Sequence, residues 1–310
     1  MVEEPTTLTR PPRRHRTKPS RNRILIRRGV AVGFVLGLVA LLVGSAMAVL
    51  GGGEEAAAPP PAPPPPKTCN IAFPEGFTRE QMAAKVTANA RAAQQECGFA
   101  SRLSESRYLA LTDGASRVPR QFLTEGRPPN LEGFLFPATY EFTAKTRTRQ
   151  MVNSQLAAFE KNWAKVNLRY ARSKNLTPYD VLIIASMIEK EVIAPEERPL
   201  VAAVIYNRLK AGMTLGIDAT LRYGFDIPPT ESIRQSQLDS NHPYNTRKLP
   251  GLTPTPIANP GLASIQAAAN PARNVDYLYY VRKPNSKAHY FTSSESDFLR
   301  KVCEFGYACD

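Results

Sequence analysis

Two glutamates stand two residues apart, Glu189 and Glu191, near the end of VLIIASMIEKEVI, a run that is otherwise almost wholly apolar. At 100° per residue, a helix here turns Glu191 between Ile184 and Met187, with Ile188 on the same stripe. Glu189 points elsewhere, towards Leu182 and Ala185. A carboxyl group among Ile and Met is desolvated, which favours its neutral form and raises its pKa. If the helix ends before Pro195, its negative pole acts on Glu191 in the same direction. An acid that keeps its proton near neutral pH is what general-acid cleavage of a glycosidic bond requires. The same letters also describe a charged helix end facing water, and the motif alone does not choose between the two.

The other polar candidates sit in turn-rich surroundings. Asp218 in TLGIDATLRYG is followed four residues later by Arg222, so it reads either as a cleft acid or as a helix cap with a local ion pair. Tyr244, Asn245 and Thr246 combine an aromatic face with amide and hydroxyl donors, which suits a sugar as well as an ordinary turn. Asn207 and Arg208 close an apolar helix, where capping competes with a substrate contact. Glu132 and Tyr140 lie in the aromatic segment LEGFLFPATYEF. His242 and His289 have no sequence-local nucleophile, and no glycine-rich phosphate loop is present.

The elements that must position these residues can be read along the chain. IAFPEG predicts a short strand and turn, and Thr78 caps an amphipathic helix that ends near Gly98. A long helix is predicted from about Thr148 to Ser173. Thr177-Pro178-Tyr179-Asp180 is a strong start for the buried helix that carries Glu191. A second helix runs roughly from Glu196 to Lys210 and stops at Gly212. Asn259-Pro260 opens another, the runs YLYYV and HYFT predict two strands around a polar turn, and Ser294 caps a last helix. Helices followed by late strands indicate an α+β class.

The first 66 residues are of a different kind. Residues 1–28 hold nine Lys or Arg against Glu3 and Glu4, and residues 29–50 are 22 uncharged, mostly apolar residues. That length spans a hydrocarbon core of about 30 Å, and the basic flank places the N-terminus in the cytoplasm and everything from Gly51 onward outside it. A cleavable signal peptide is the rival reading, with Ser45-Ala46-Met47-Ala48 as its small residues, but its apolar run would ordinarily be shorter. GGGEEAAAPPPAPPPP then forms a linker over 51–67 that cannot bury a core. The net charge is +13, of which the tail supplies seven, and no arginine-rich helix or aromatic platform marks the remainder as a nucleic-acid binder. Cys69, Cys97, Cys303 and Cys309 all follow the apolar segment, where disulfides persist. Of the three possible pairings the local one, Cys69–Cys97 with Cys303–Cys309, is favoured. The lack of C-x-x-C and the scattered histidines argue against a zinc site.

Five blocks in order, LEGFLFPATY, ASMIEKEV, VAAVIYNRLKAGMTLGIDATLRYG, YNTRKLPGLTPTPIANPGLASIQAAANPA and DYLYYVRK with HYFT, resemble the YceG-like family of endolytic murein transglycosylases. They cover about 131–300. The resemblance implies an α+β catalytic domain over 131–310, anchored in the plasma or inner membrane by the segment 29–50. It implies no cofactor, and peptidoglycan glycan strands as the substrate. It makes the second glutamate of EKE, Glu191, the catalytic residue. It also implies cuts within strands that leave 1,6-anhydro-MurNAc ends, a role in ending strand growth, and peptidoglycan synthases as partners. Asn207, Asp218, Tyr244 and Asn245 fall in the shared blocks and are candidates for lining the cleft, with Glu132 and Tyr140 beside them.

The chain departs from the family's pattern before residue 131. Members usually carry a LysM-like subdomain there, whereas 68–130 leaves room only for a truncated remnant, with PEGFTREQMAAKV as its later part. Two other functions stay open. One is a hydrolytic muramidase with Asp218 as second carboxylate, and the other a non-catalytic wall-binding scaffold of the synthesis machinery.

Overall fold

A computed structural model describes residues 65–123 and 128–307. The basic tail, the apolar segment 29–50 and most of the linker lie outside the described residues, and so does Cys309 of the second expected cysteine pair. Among the described residues no helix is long and apolar enough to cross a membrane.

The fold is mixed α+β. Strand β1 (Thr68–Ala72) leads into helix α1 (Arg79–Glu96), whose Thr78 cap and Gln81 bond each other's backbone amides as expected. Helix α2 (Glu105–Thr112) follows, and strand β2 (Thr139–Thr143) returns to pair antiparallel with β1, Ile71 opposite Tyr140. This pairing crosses the boundary expected at 130, and the core is continuous across it. The Cys69–Cys97 disulfide forms as favoured, joining β1 to the end of α1.

The helix expected over 148–173 is two helices, α3 (Thr148–Trp163) and α4 (Arg169–Ser173). Asn167 lies in the break, where its side-chain oxygen takes the amide of Arg169, a local bond that competes with the helix ladder. Trp163 closes an aromatic cluster with Phe122, Phe134 and Phe159, at ring separations from 4.7 to 5.6 Å.

Helix α5 (Pro178–Glu191) is the centre of the molecule. Thr177 and Asp180 form its capping box, Pro178 occupies its first turn, and every side chain from Val181 to Ile188 is buried. Ser186, the one polar residue in that stretch, donates to the Ile183 carbonyl and accepts from the Ile257 amide, so it leaves no unpaired group in the core. Helix α6 (Arg198–Lys210) packs beside α5 and ends before Gly212, which adopts φ +67°. After α7 (Asp218–Gly224) and α8 (Gln235–Leu238), α9 (Leu262–Ala269) packs on α5. Strands β3 (Tyr279–Arg282) and β4 (His289–Thr292) form an antiparallel hairpin, and α10 (Glu295–Glu304) packs on it.

Close packing around α5 extends to the backbone. At Gly133, φ is +87° and a Cβ would stand 2.7 Å from the Pro256 side chain, so only glycine fits between that turn and α5.

Candidate active site

Glu191 is the last residue of α5, and the turn that follows, closed by Pro195, places it at the rim of the core. It lines a cavity of about 520 Å³. One wall is the start of α1, through Thr78, Glu80 and Gln81. The opposite wall is α7, through Asp218, Ala219, Arg222 and Tyr223, continued by the turn from Asp226 to Pro229. The apolar stripe read from the sequence is real, since Ile184, Met187 and Ile188 are all fully buried. Glu191 keeps part of its surface on the cavity.

The Tyr280 hydroxyl of β3 donates to Glu191 Oε2 at 3.2 Å. Burial is the main force on this carboxyl and raises its pKa; the charge of Asp218 adds to it, while the Tyr280 bond and the charges of Arg282 and Arg247 pull the other way. The balance is an acid held above the ordinary carboxylate range, able to carry a proton in and take one back.

Asp218 shares the cavity, but its partner is not the expected Arg222. Arg247 reaches it with Nε 2.5 Å from Oδ1. Arg222 turns instead to the carbonyls of Pro228 and Glu231, fixing the turn on that wall. Glu189 points away from the cavity and accepts the Gly261 amide at 3.0 Å. Beside it, Glu75 is raised above its usual pKa, first by burial and then by the charge of Glu189.

Glu132 is fully buried, so it does not meet a ligand directly. Both its oxygens accept the Arg79 amide at the start of α1 (3.0 and 3.1 Å). Asn259 Nδ2 donates to it at 2.7 Å and the Tyr223 hydroxyl at 3.3 Å. It therefore links the two walls of the cavity. Burial pushes its pKa to about 8 against the opposing hydrogen bonds.

The remaining candidates are committed to the fold. Asn207 donates to the carbonyls of Val275 and Tyr277, and Asn245 is buried and donates to those of Leu238 and Ser240. Tyr140 donates to the Phe136 carbonyl. Tyr244 shares a hydrogen bond with Thr255 at 2.6 Å, and its ring packs on Tyr223, one residue removed from the cavity. The reading from the residues alone did not single out Tyr280, Tyr223 or Arg247. Tyr280 is 89 residues from Glu191, and its only signal was its place among the aromatics of DYLYYVRK.

Size does not select the site. A hollow of about 640 Å³ between α1 and α2 has as its acid only Glu105, in the first turn of α2. Another of about 550 Å³ beside α4 and α6 has Asp180, already engaged by Thr177. Of these three cavities, the one at Glu191 combines a desolvated carboxyl with a hydroxyl donor and a second, ion-paired carboxylate.

The model of the YceG-like family matches residues 56–304. An endolytic murein transglycosylase from Streptococcus pneumoniae strain R6 is 32 % identical over 256 residues, which span 76 % of this chain and 44 % of the relative. One from Bacillus subtilis is 34 % identical over 157 residues, spanning 51 % of this chain and 43 % of the relative. The chain thus covers less than half the length of these relatives. A crystal structure of a YceG-like protein from Listeria monocytogenes superposes with a TM-score of 0.63 at 28 % identity, covering 75 % of each chain.

Proposed function

The chain belongs to the YceG-like family, and from that membership we propose that it is a membrane-anchored endolytic lytic transglycosylase of peptidoglycan, with Glu191 as its acid–base group. The observation that carries this reading is a carboxyl raised by burial, on a cavity, with the Tyr280 hydroxyl donating to it. The names of its relatives supply the substrate class.

In the first step Glu191, as the acid, protonates the oxygen bridging MurNAc C1 to GlcNAc while the C1–O bond breaks. The resulting carboxylate then accepts the proton of the MurNAc 6-hydroxyl as its oxygen bonds to C1. The product ends in a 1,6-anhydro ring and Glu191 is protonated again. The nucleophile belongs to the same sugar, so its effective concentration is high and no activated water is needed. This is why one carboxylate suffices where a hydrolase uses two. Between the steps the Tyr280 hydroxyl stabilises the anion, as a preformed donor in a partly desolvated site. Residues 29–50 hold the chain in the membrane with the cavity on the outer side, where growing strands lie, and the cut ends their elongation in company with the synthases.

Hydrolysis is the second reading, because Asp218 supplies another carboxylate to the same cavity. Arg247 engages that carboxylate in an ion pair, so it is not free to direct a water, which favours transglycosylation.

The test is mass spectrometry of purified glycan strands incubated with the full-length chain and with Glu191→Gln. Internal cuts ending in anhydro-MurNAc are expected, with a loss of at least about 10²–10⁴-fold in the variant. Reducing ends would make the protein a hydrolase. No cutting by the wild type would leave a scaffold role.

A further inference from the structure

Tyr280 touches Glu191 from a short hairpin. Strands of four residues in a two-stranded sheet are marginal on their own, yet a donor placed at random would not steady a carboxylate. The anchors come from α6. At its C-terminal end, Asn207 donates to the carbonyls of Val275 and Tyr277, and Arg208 Nε to that of Leu278, fixing the entry to β3. At its other end Glu197, directly before Arg198, fixes β4. Its Oε1 accepts the His289 amide at 2.8 Å and its Oε2 lies 2.6 Å from His289 Nδ1.

The imidazole transmits this hold. His289 and Tyr280 are diagonal neighbours on one face of the hairpin, with Phe291 on the same face opposite Tyr280. The His289 ring meets the Tyr280 ring edge-on, 86° between planes and 5.4 Å between centroids. Both Glu197 and His289 are more than nine-tenths buried. The carboxylate fixes Nδ1–H as donor and thereby the angle of the ring.

We infer that the Glu197–His289 pair is a positioning device, which sets the Tyr280 hydroxyl against Glu191 and so governs when that acid holds its proton. The inference rests on Glu191 being the acid–base group. The other charges facing Glu191 are Asp218 on α7, Arg247 in the loop after α8 and Arg282 on β3, with Glu80, Lys190, Arg222 and Asp226 around the cavity. All of them remain in the variants below.

The test follows the protonation of Glu191 directly, by infrared titration of the full-length chain in detergent, with Glu191→Gln as the subtracted reference. Tyr280→Phe removes a donor to the charged form. It should raise the Glu191 midpoint by about one pH unit, a tenfold rise in proton affinity. Glu197→Gln and His289→Phe should each move the midpoint in the same direction. Combined with Tyr280→Phe, neither should move it further. An unmoved midpoint in both variants, or shifts that add fully to that of Tyr280→Phe, would overturn the inference. An unmoved midpoint in Tyr280→Phe itself would do the same. Loss of the folded near-ultraviolet circular dichroism in both variants would make the pair a support of the whole domain, and that too overturns it. Because the titration needs no turnover, a chain that cuts no glycan can still display the coupling. The two readings therefore fail separately.

Discussion

At the scale of single residues, Glu132 sets two opposing effects against each other. Its carboxyl is surrounded by donors, namely the Arg79 amide, the Asn259 amide group and the Tyr223 hydroxyl, and these favour the anion. Burial favours the neutral acid and prevails, raising its pKa from 4.5 to about 8. The sign of the consequence follows from linkage. The unfolded chain releases this proton near 4.5 and the folded one near 8, so the stability gained by the neutral form is full below 4.5 and is lost as the pH rises to 8. At about 1.4 kcal/mol per unit the loss reaches a few kcal/mol. Glu132→Gln cannot titrate. Thermal melts of the two proteins should therefore diverge as the pH rises through that window, with the wild type falling relative to the variant. Parallel curves would mean that Glu132 stays charged, or stays neutral, throughout.

Among the elements, α5 decides where the acid stands, and its start is specified by few letters. Thr177 Oγ1 accepts the Asp180 amide at 3.1 Å, and Asp180 returns a bond to the Thr177 amide at 2.8 Å. Thr177→Ala should cost about 1 kcal/mol of stability, read from a denaturant midpoint that falls at unchanged slope. Since Glu191 is at the other end of the helix, its titration should stay where it is. This also shows what was legible in the sequence. The capping box, the almost wholly apolar run and Pro195 all act within a turn or two, and they were enough to place Glu191 on its stripe. Asn207 and Asn245 have the side chains of sugar ligands, but their donors satisfy loop carbonyls that no local pattern announces. Asp218 lay within helical reach of Arg222 and found Arg247 instead. Tyr280 reaches Glu191 only through the packing of a hairpin on α6, so no spacing along the chain encodes the contact. The break between α3 and α4 came from the side chain of Asn167, a competitor that hydrophobic periodicity does not register.

For the molecule as a whole, the question is how the segment before residue 131 is held against the helices that carry the chemistry. It supplies one wall of the cavity through Thr78, Glu80 and Gln81. Helix α1 is fixed at two places. Its start is held by Glu132, and its end by the bond from Cys97 to Cys69 on β1, which in turn pairs with β2. The two fixings do different things. A disulfide closing a loop with a separation of 28 residues restricts the unfolded chain by about 3–4 kcal/mol in the entropic account. It lies 18 residues along the chain from Arg79, at the far end of the helix from the cavity. A chain carrying both Cys69→Ser and Cys97→Ser should therefore melt on the order of 10 °C lower. Below that melting range its KM for glycan strands should match the wild type, because the bonds from Glu132 still set the wall. A raised KM with kcat intact, at a temperature where circular dichroism reports full folding, would show instead that the wall depends on the disulfide. The segment before residue 131 would then act as one lever between β1 and the cavity.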